Sequence, residues 1–94
     1  MPVTQVSMAP SRELYDSVVK HLDLETNRPA GLILHAASEL PSGEVRIIDV
    51  YDSAADLQAF AETQLFPAFA AAGVMEMVMS NERPVPYEAF DLVR

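Results

Sequence analysis

No cysteine and no tryptophan occur in these 94 residues, and glycine appears only three times. Without cysteine there are no disulfides, no thiolate zinc sites and no cysteine nucleophile. Three glycines cannot build a phosphate-cradling loop, and no serine sits in a nucleophile-elbow context. Histidine is scarce too: His21 and His35 offer no metal-ligand spacing. Six basic residues stand against fourteen acidic ones, a net charge of −8. The six (Arg12, Lys20, Arg28, Arg46, Arg83, Arg94) are scattered, so nothing in the sequence suits nucleic acid or an anionic membrane. No apolar run approaches the ~20 residues needed to span a bilayer. The opening Met-Pro-Val-Thr-Gln-Val lacks the basic and apolar regions of a signal peptide. The expectation is a soluble, cytoplasmic protein that needs no cofactor.

What the chain does have is apolar residues, half of the total. Its length suits one domain. A domain this small buries only about 60–65% of its unfolded surface alone. The apolar excess therefore points to closure against a partner.

Residues 3–8 are β-branched and apolar, end at Ala9-Pro10, and predict a first strand. Ser11 is a good N-cap with Glu13 in the first turn, and Leu14, Val18, Leu22 with Tyr15, Val19 make one apolar stripe to about Leu24. The polar run Glu25 to Pro29 breaks it. A hairpin follows: residues 31–39 and 44–51 flank the turn signal Leu40-Pro41-Ser42-Gly43. With a three-residue loop, paired numbers sum to 84. One face then carries Leu34, Ala36, Ile48 and Val50, read as the side that packs on helices. The other pairs Ile33 with Tyr51, His35 with Asp49 and Ala37 with Ile47. A two- or four-residue loop would instead put His35 beside Val50.

Ser53 caps a second helix with Asp56 at its third position; Leu57, Phe60, Ala61, Leu65 and Phe69 form its stripe, and Gly73 stops it. Pro67 predicts a kink or a new turn near Leu65-Phe66. Residues 74–80 alternate methionine with Val74, Glu76 and Val78 and read as the last strand. The expected organisation is a domain over 1–83 and an extended C-terminal arm over 84–94. The order β-α-β-β-α-β is a split βαβ unit, an α+β ferredoxin-like antiparallel sheet with two helices on one face. A two-fold homodimer, sheet against sheet, is the simplest cover for the bare face.

That layout resembles the dimeric α/β-barrel superfamily over nearly the whole chain. Residues 31–73 are the most similar: a Gly-Leu-Ile-Leu-His strand, then Arg-Ile-Ile-Asp-Val-Tyr-Asp-Ser, then Phe60 to Leu65, Pro67 and Gly73. An acidic residue two before an aromatic at a strand end, followed by a Ser-capped helix, is similar to antibiotic biosynthesis monooxygenase-like members. The chain departs from them in lacking tryptophan, with Tyr51 where many relatives carry one. The resemblance implies a cofactor-independent enzyme of secondary metabolism. Its substrate would be an apolar, oxygenated, polyketide-like molecule, and its chemistry proton transfer, cyclisation or monooxygenation. A non-catalytic binding protein or accessory homodimer is the alternative.

His35, Asp49 and Tyr51 are the candidate catalytic residues. As cross-strand neighbours with Cβ atoms ~5 Å apart, His35 and Asp49 would form an acid/base couple. Tyr51, two residues along, would hold an oxyanion. The blander account is a His–Asp pair that satisfies itself and a tyrosine that only packs. His21 reads as a helix-flank residue and Arg46 as a solvated hairpin end. The alternating methionines suit an adaptable pocket, ordinary core or a dimer seam. Tyr87 and Phe90 either close over a pocket or anchor the arm.

Overall fold

The computed structural model describes residues 1–24, 26–80 and 84–93. Its sheet has the order β2-β3-β1-β4, every neighbour antiparallel, with the helices on one face. Strand β1 (Val3–Ala9) leads into α1 (Arg12–Val19), which crosses over to β2 (Leu32–Glu39) and leaves room for β3 (Val45–Tyr51) between the two. This is the split βαβ unit that the element order predicts.

The Ser11 hydroxyl accepts a 3.2 Å bond from the Leu14 N–H, so α1 begins as expected. It ends five residues early. After Val19 the chain tightens, with His21 N–H bonded to the Val18 carbonyl and Leu22 N–H to that of Val19. Leu22 still reaches the core.

The β2–β3 hairpin closes as a three-residue loop: Leu40 N–H donates to the Glu44 carbonyl and Gly43 N–H to that of Leu40. Gly43 has φ +91°, a value that favours glycine. From Leu34 to Glu39 the register is the predicted one, and it puts His35 opposite Asp49. It fails at Ile33, because Leu32 pairs with Tyr51 and Ile33 is left over as a bulge. The Arg28 guanidinium donates to the carbonyls of both Leu32 and Ile33, at 2.8 and 3.0 Å. Gly31, with φ +79°, leads into the strand where a Cβ would collide with the Asp56 carboxylate.

Ser53 caps α2 (Ala54–Phe60), accepting from the Asp56 N–H. A π-helical turn over Ala61–Leu65 follows, and α3 (Phe66–Ala72) starts afresh with Pro67 in its first turn. The proline lacks the N–H that an unbroken helix needs, and the chain widens just before it. Gly73, at φ +77°, ends α3 in the left-handed region.

Residues 74–80 are not the last strand: Met75–Ser80 is a short helix, α4. Methionine and glutamate are good helix formers. Val74 and Val78, one turn apart, both pack into the cluster built on α1 and α3. Four-residue spacing of the valines outweighed the two-residue alternation of the methionines. The fourth strand comes from the expected arm instead, as β4 (Tyr87–Glu88), beside Thr4 and Val3 of β1. The expected domain boundary at residue 83 lies outside the described residues.

Two apolar clusters make the core. Val18, Leu22, Ala68 and Val74 form one, built by α1, α3 and the segments that follow them; Val3, Tyr51 and Leu57 form the other, between α2 and the sheet, and Phe60 packs against both. Tyr51 is 1% exposed. The two sheet faces are therefore the reverse of the sequence reading. Tyr51 lies under Leu57 and Phe60, and His35 bonds to a side chain of α1, so the His35/Asp49/Tyr51 face is the helix side. Leu34, Ala36, Arg46 and Ile48 belong to the open side, with Val6 and Met8. Strand alternation says which residues share a face, not which face the helices cover. Here both faces are apolar, so hydrophobicity could not decide between them.

Candidate functional site

The hairpin register and the crossing of α1 over the sheet create a chain of three polar side chains. His35 Nδ1 lies 2.6 Å from Asp49 Oδ1, and His35 Nε2 lies 2.9 Å from the Tyr15 hydroxyl. The Tyr15 and His35 rings stack within 9° of parallel, centroids 6.4 Å apart. With the carboxylate accepting from Nδ1–H, the imidazole is held in the tautomer whose lone pair sits on Nε2, and Tyr15 donates its O–H to it. The arrangement is half-sheltered, with the His35 and Asp49 side chains 25% and 17% exposed.

Its electrostatics favour a neutral phenol at the end of the chain. Burial, then Asp49 and Asp16, raise the Tyr15 pKa above the usual tyrosine value, and Arg12 opposes them. Arg12 is itself tied to Asp16 by a 3.2 Å ion pair on α1. A proton passed inward from Tyr15 would reach His35, and Asp49 would offset the imidazolium charge.

Sequence reasoning brought His35 and Asp49 together correctly and placed Tyr51 on their face. The chain does not run through Tyr51, however. Its ring lies in the apolar cluster, 6.0 Å from that of Phe60, and a residue 1% exposed cannot offer its hydroxyl to a ligand. The oxyanion role expected of Tyr51 is thereby removed. Tyr15 was counted only as part of the α1 stripe. Its signal was faint: a tyrosine one position off the Leu14–Val18 row, on a helix that must cross the sheet.

Burial also raises the Tyr51 pKa well above the ordinary value near 10, with Asp49 adding to it and Arg28 opposing. The folded chain therefore keeps a proton that the unfolded chain releases as pH climbs through about 10. Stability is unaffected below that pH and falls above it. Alkaline unfolding followed by circular dichroism should move to higher pH in Tyr51→Phe, which keeps the ring and removes the titrating group. An unchanged midpoint would assign the alkaline limit to another group.

Among the clefts that indent the surface of the described residues are two open ones. One, of about 300 Å³, is lined by residues that include His21, Asn27, Thr63, Gln64 and Pro67. The other, of about 160 Å³, is lined by Arg12, Tyr15, Ala37, Ser38, Glu39 and Val45. None of the three expected site residues lines either cleft; Tyr15 does. Tyr87 is 69% exposed on the open sheet face beside Thr4, and Phe90 is wholly exposed, so neither covers the chain of polar groups. Met77 and Met79 lie on α4, 39% and 44% exposed. Among the described residues no group of three or more His, Asp or Glu side chains could hold a metal ion. No helix among them is long and apolar enough to cross a membrane.

Neither a family model nor a curated protein sequence matches the chain. Solved structures do share its fold. Rv0793 from Mycobacterium tuberculosis, 13% identical, superposes over the full length of both chains with a TM-score of 0.72. A candidate antibiotic biosynthesis monooxygenase from Deinococcus radiodurans, 17% identical, covers all of this chain and 97% of its own, with a TM-score of 0.64. The fold is accordingly α+β and ferredoxin-like, of the type seen in that monooxygenase candidate.

Proposed function

We propose that the chain is a small enzyme that moves a proton on an apolar, oxygenated, polyketide-like molecule, with no cofactor supplying the chemistry. The observation that carries this reading is the Asp49–His35–Tyr15 chain set between the helices and the sheet. His35 is the acid/base, Asp49 orients it and offsets its charge, and Tyr51 keeps the surroundings apolar. Removing a proton from a phenol leaves a phenolate, and from an enol or a carbon next to a carbonyl an enolate. Reprotonation elsewhere isomerises it, and attack on a second carbonyl cyclises it. Electron donation to dioxygen would oxygenate it, the substrate itself being oxidised. The Deinococcus neighbour lends support to the last outcome.

The working unit in this proposal is a homodimer. Only nine hydrophobic residues are buried among those described, while Val6, Met8 and Leu34 stand about half exposed on one sheet face. A two-fold pairing covers that face with its own copy.

A second reading has its own support. Both ring nitrogens of His35 are already partnered inside the protein, as in a polar cluster that only fixes strand register. The two readings separate on hydrogen–deuterium exchange at the acidic carbon of an aryl 1,3-diketone, followed by NMR. As an enzyme, the wild type should speed exchange over buffer. His35→Ala and Asp49→Asn should each lower that rate by about 10²–10⁴-fold with the fold retained. Wild-type rates in the near-isosteric Asp49→Asn variant would leave only the structural role.

A further inference from the structure

The geometry points to Tyr15, on α1, as the catalytic residue that meets the substrate, with His35 acting behind it and a single phenolic or enolic ring as the part of the substrate that enters. This rests on the reading of the Asp49–His35 couple as an acid/base pair.

Three observations carry it. The imidazole has no vacant nitrogen: Nδ1 faces Asp49 and Nε2 faces the Tyr15 hydroxyl. A ligand therefore meets the imidazole's proton through Tyr15 rather than at a ring nitrogen. Second, Tyr15 lines the smaller of the two clefts, and His35 and Asp49 line neither of them. Third, that cleft is small. About 160 Å³ is close to the volume of a cavity that holds one benzene-sized ring, so a larger fused molecule would insert one ring and leave the rest outside. Ala37 and Val45 contribute apolar lining, and Ser38 and Glu39 contribute polar groups.

The proton inventory closes without charging Tyr15. The ligand O–H gives its proton to the Tyr15 oxygen as the Tyr15 O–H gives its own to His35 Nε2. The products are the ligand phenolate or enolate, a neutral Tyr15 that now donates to it, and an imidazolium paired with Asp49. A phenol held neutral by burial and by Asp49 and Asp16 suits a group that relays a proton rather than keeping a charge. Arg12, which acts on the same hydroxyl in the opposite sense and lines the same cleft, favours the anion formed beside it.

4-Nitrophenol, coloured only as phenolate, tests the assignment at a pH where the free probe is mostly neutral. Wild-type protein should raise phenolate absorbance on titration, and Tyr15→Phe should abolish the rise. In the diketone exchange assay, Tyr15→Phe should lower the maximal rate about 100-fold or more while half-saturation stays within about threefold. Should Tyr15→Phe match the wild type while His35→Gln loses the signal, Tyr15 is not the contact and the acid/base reading survives. A larger signal in Tyr15→Phe would make Tyr15 a plug on Nε2 and overturn the assignment. Equal signals in wild type, Tyr15→Phe and His35→Gln, or none with the wild type, would remove both.

Discussion

Replacing Tyr51 by alanine should cost about 3–5 kcal/mol of folding stability. The side chain is 1% exposed at the end of β3, where it pairs across to Val3 on one side and Leu32 on the other. It packs with Leu57, and its ring meets that of Phe60. Removing it opens a void where both neighbouring strands and α2 converge. A domain of this size has a total stability of only roughly 5–14 kcal/mol, so the variant should melt tens of degrees lower or fail to fold. Urea unfolding at one fixed protomer concentration measures the loss. Tyr51→Phe should stay within about 1 kcal/mol of wild type. A loss below about 1 kcal/mol in Tyr51→Ala would mean that this cluster does not anchor the sheet.

The second large effect is expected on the open sheet face. Val6 stands opposite Ile48, which stands opposite Ala36; Thr4, Val50 and Leu34 form the next row. In a two-fold pairing every substitution at the interface appears twice. Val6→Lys or Leu34→Lys would thus bury two like charges in an apolar interface. Sedimentation should report the wild type at twice the 10.3 kDa chain mass and either variant at the single-chain mass, with dissociation at least about 100-fold easier. A control lysine at exposed Gln58 should change neither. A wild type that sediments as one chain at tens of micromolar would end the homodimer proposal. It would leave the acid/base proposal standing, because that site lies within one protomer.

That independence was not visible in the sequence. The element order as far as Gly73, both serine caps, the Gly73 stop and the hairpin register from Leu34 to Glu39 could be read from spacing and turn chemistry, because those signals are local. The pairing of His35 with Asp49 followed from the loop length alone. What spacing could not supply was the third dimension. Two apolar faces on one hairpin carry no mark of which receives the helices, so the polar couple was assigned to the dimer side. Tyr15 then had no reason to meet it. The bulge at Ile33 was hidden for a related reason: the side chain that bonds its carbonyl is Arg28, five residues away and outside the strand pattern. The Met75–Ser80 segment misled by offering two periods at once, and only packing against α1 and α3 selects between them.

The wide turn at Ala61–Leu65 has a further consequence. Each residue of an ordinary helix advances about 100° around its axis, so a locally looser winding offsets everything downstream. Leu57, upstream, belongs to the cluster on the sheet, while Ala68, downstream, belongs to the one around Val18. The turn thus resets the angle between the row that meets the sheet and the row that meets α1, with Phe60, just before it, touching both clusters. Shortening that stretch by a residue would rotate α3 by about 100° relative to α2 and turn Ala68 away from Val18.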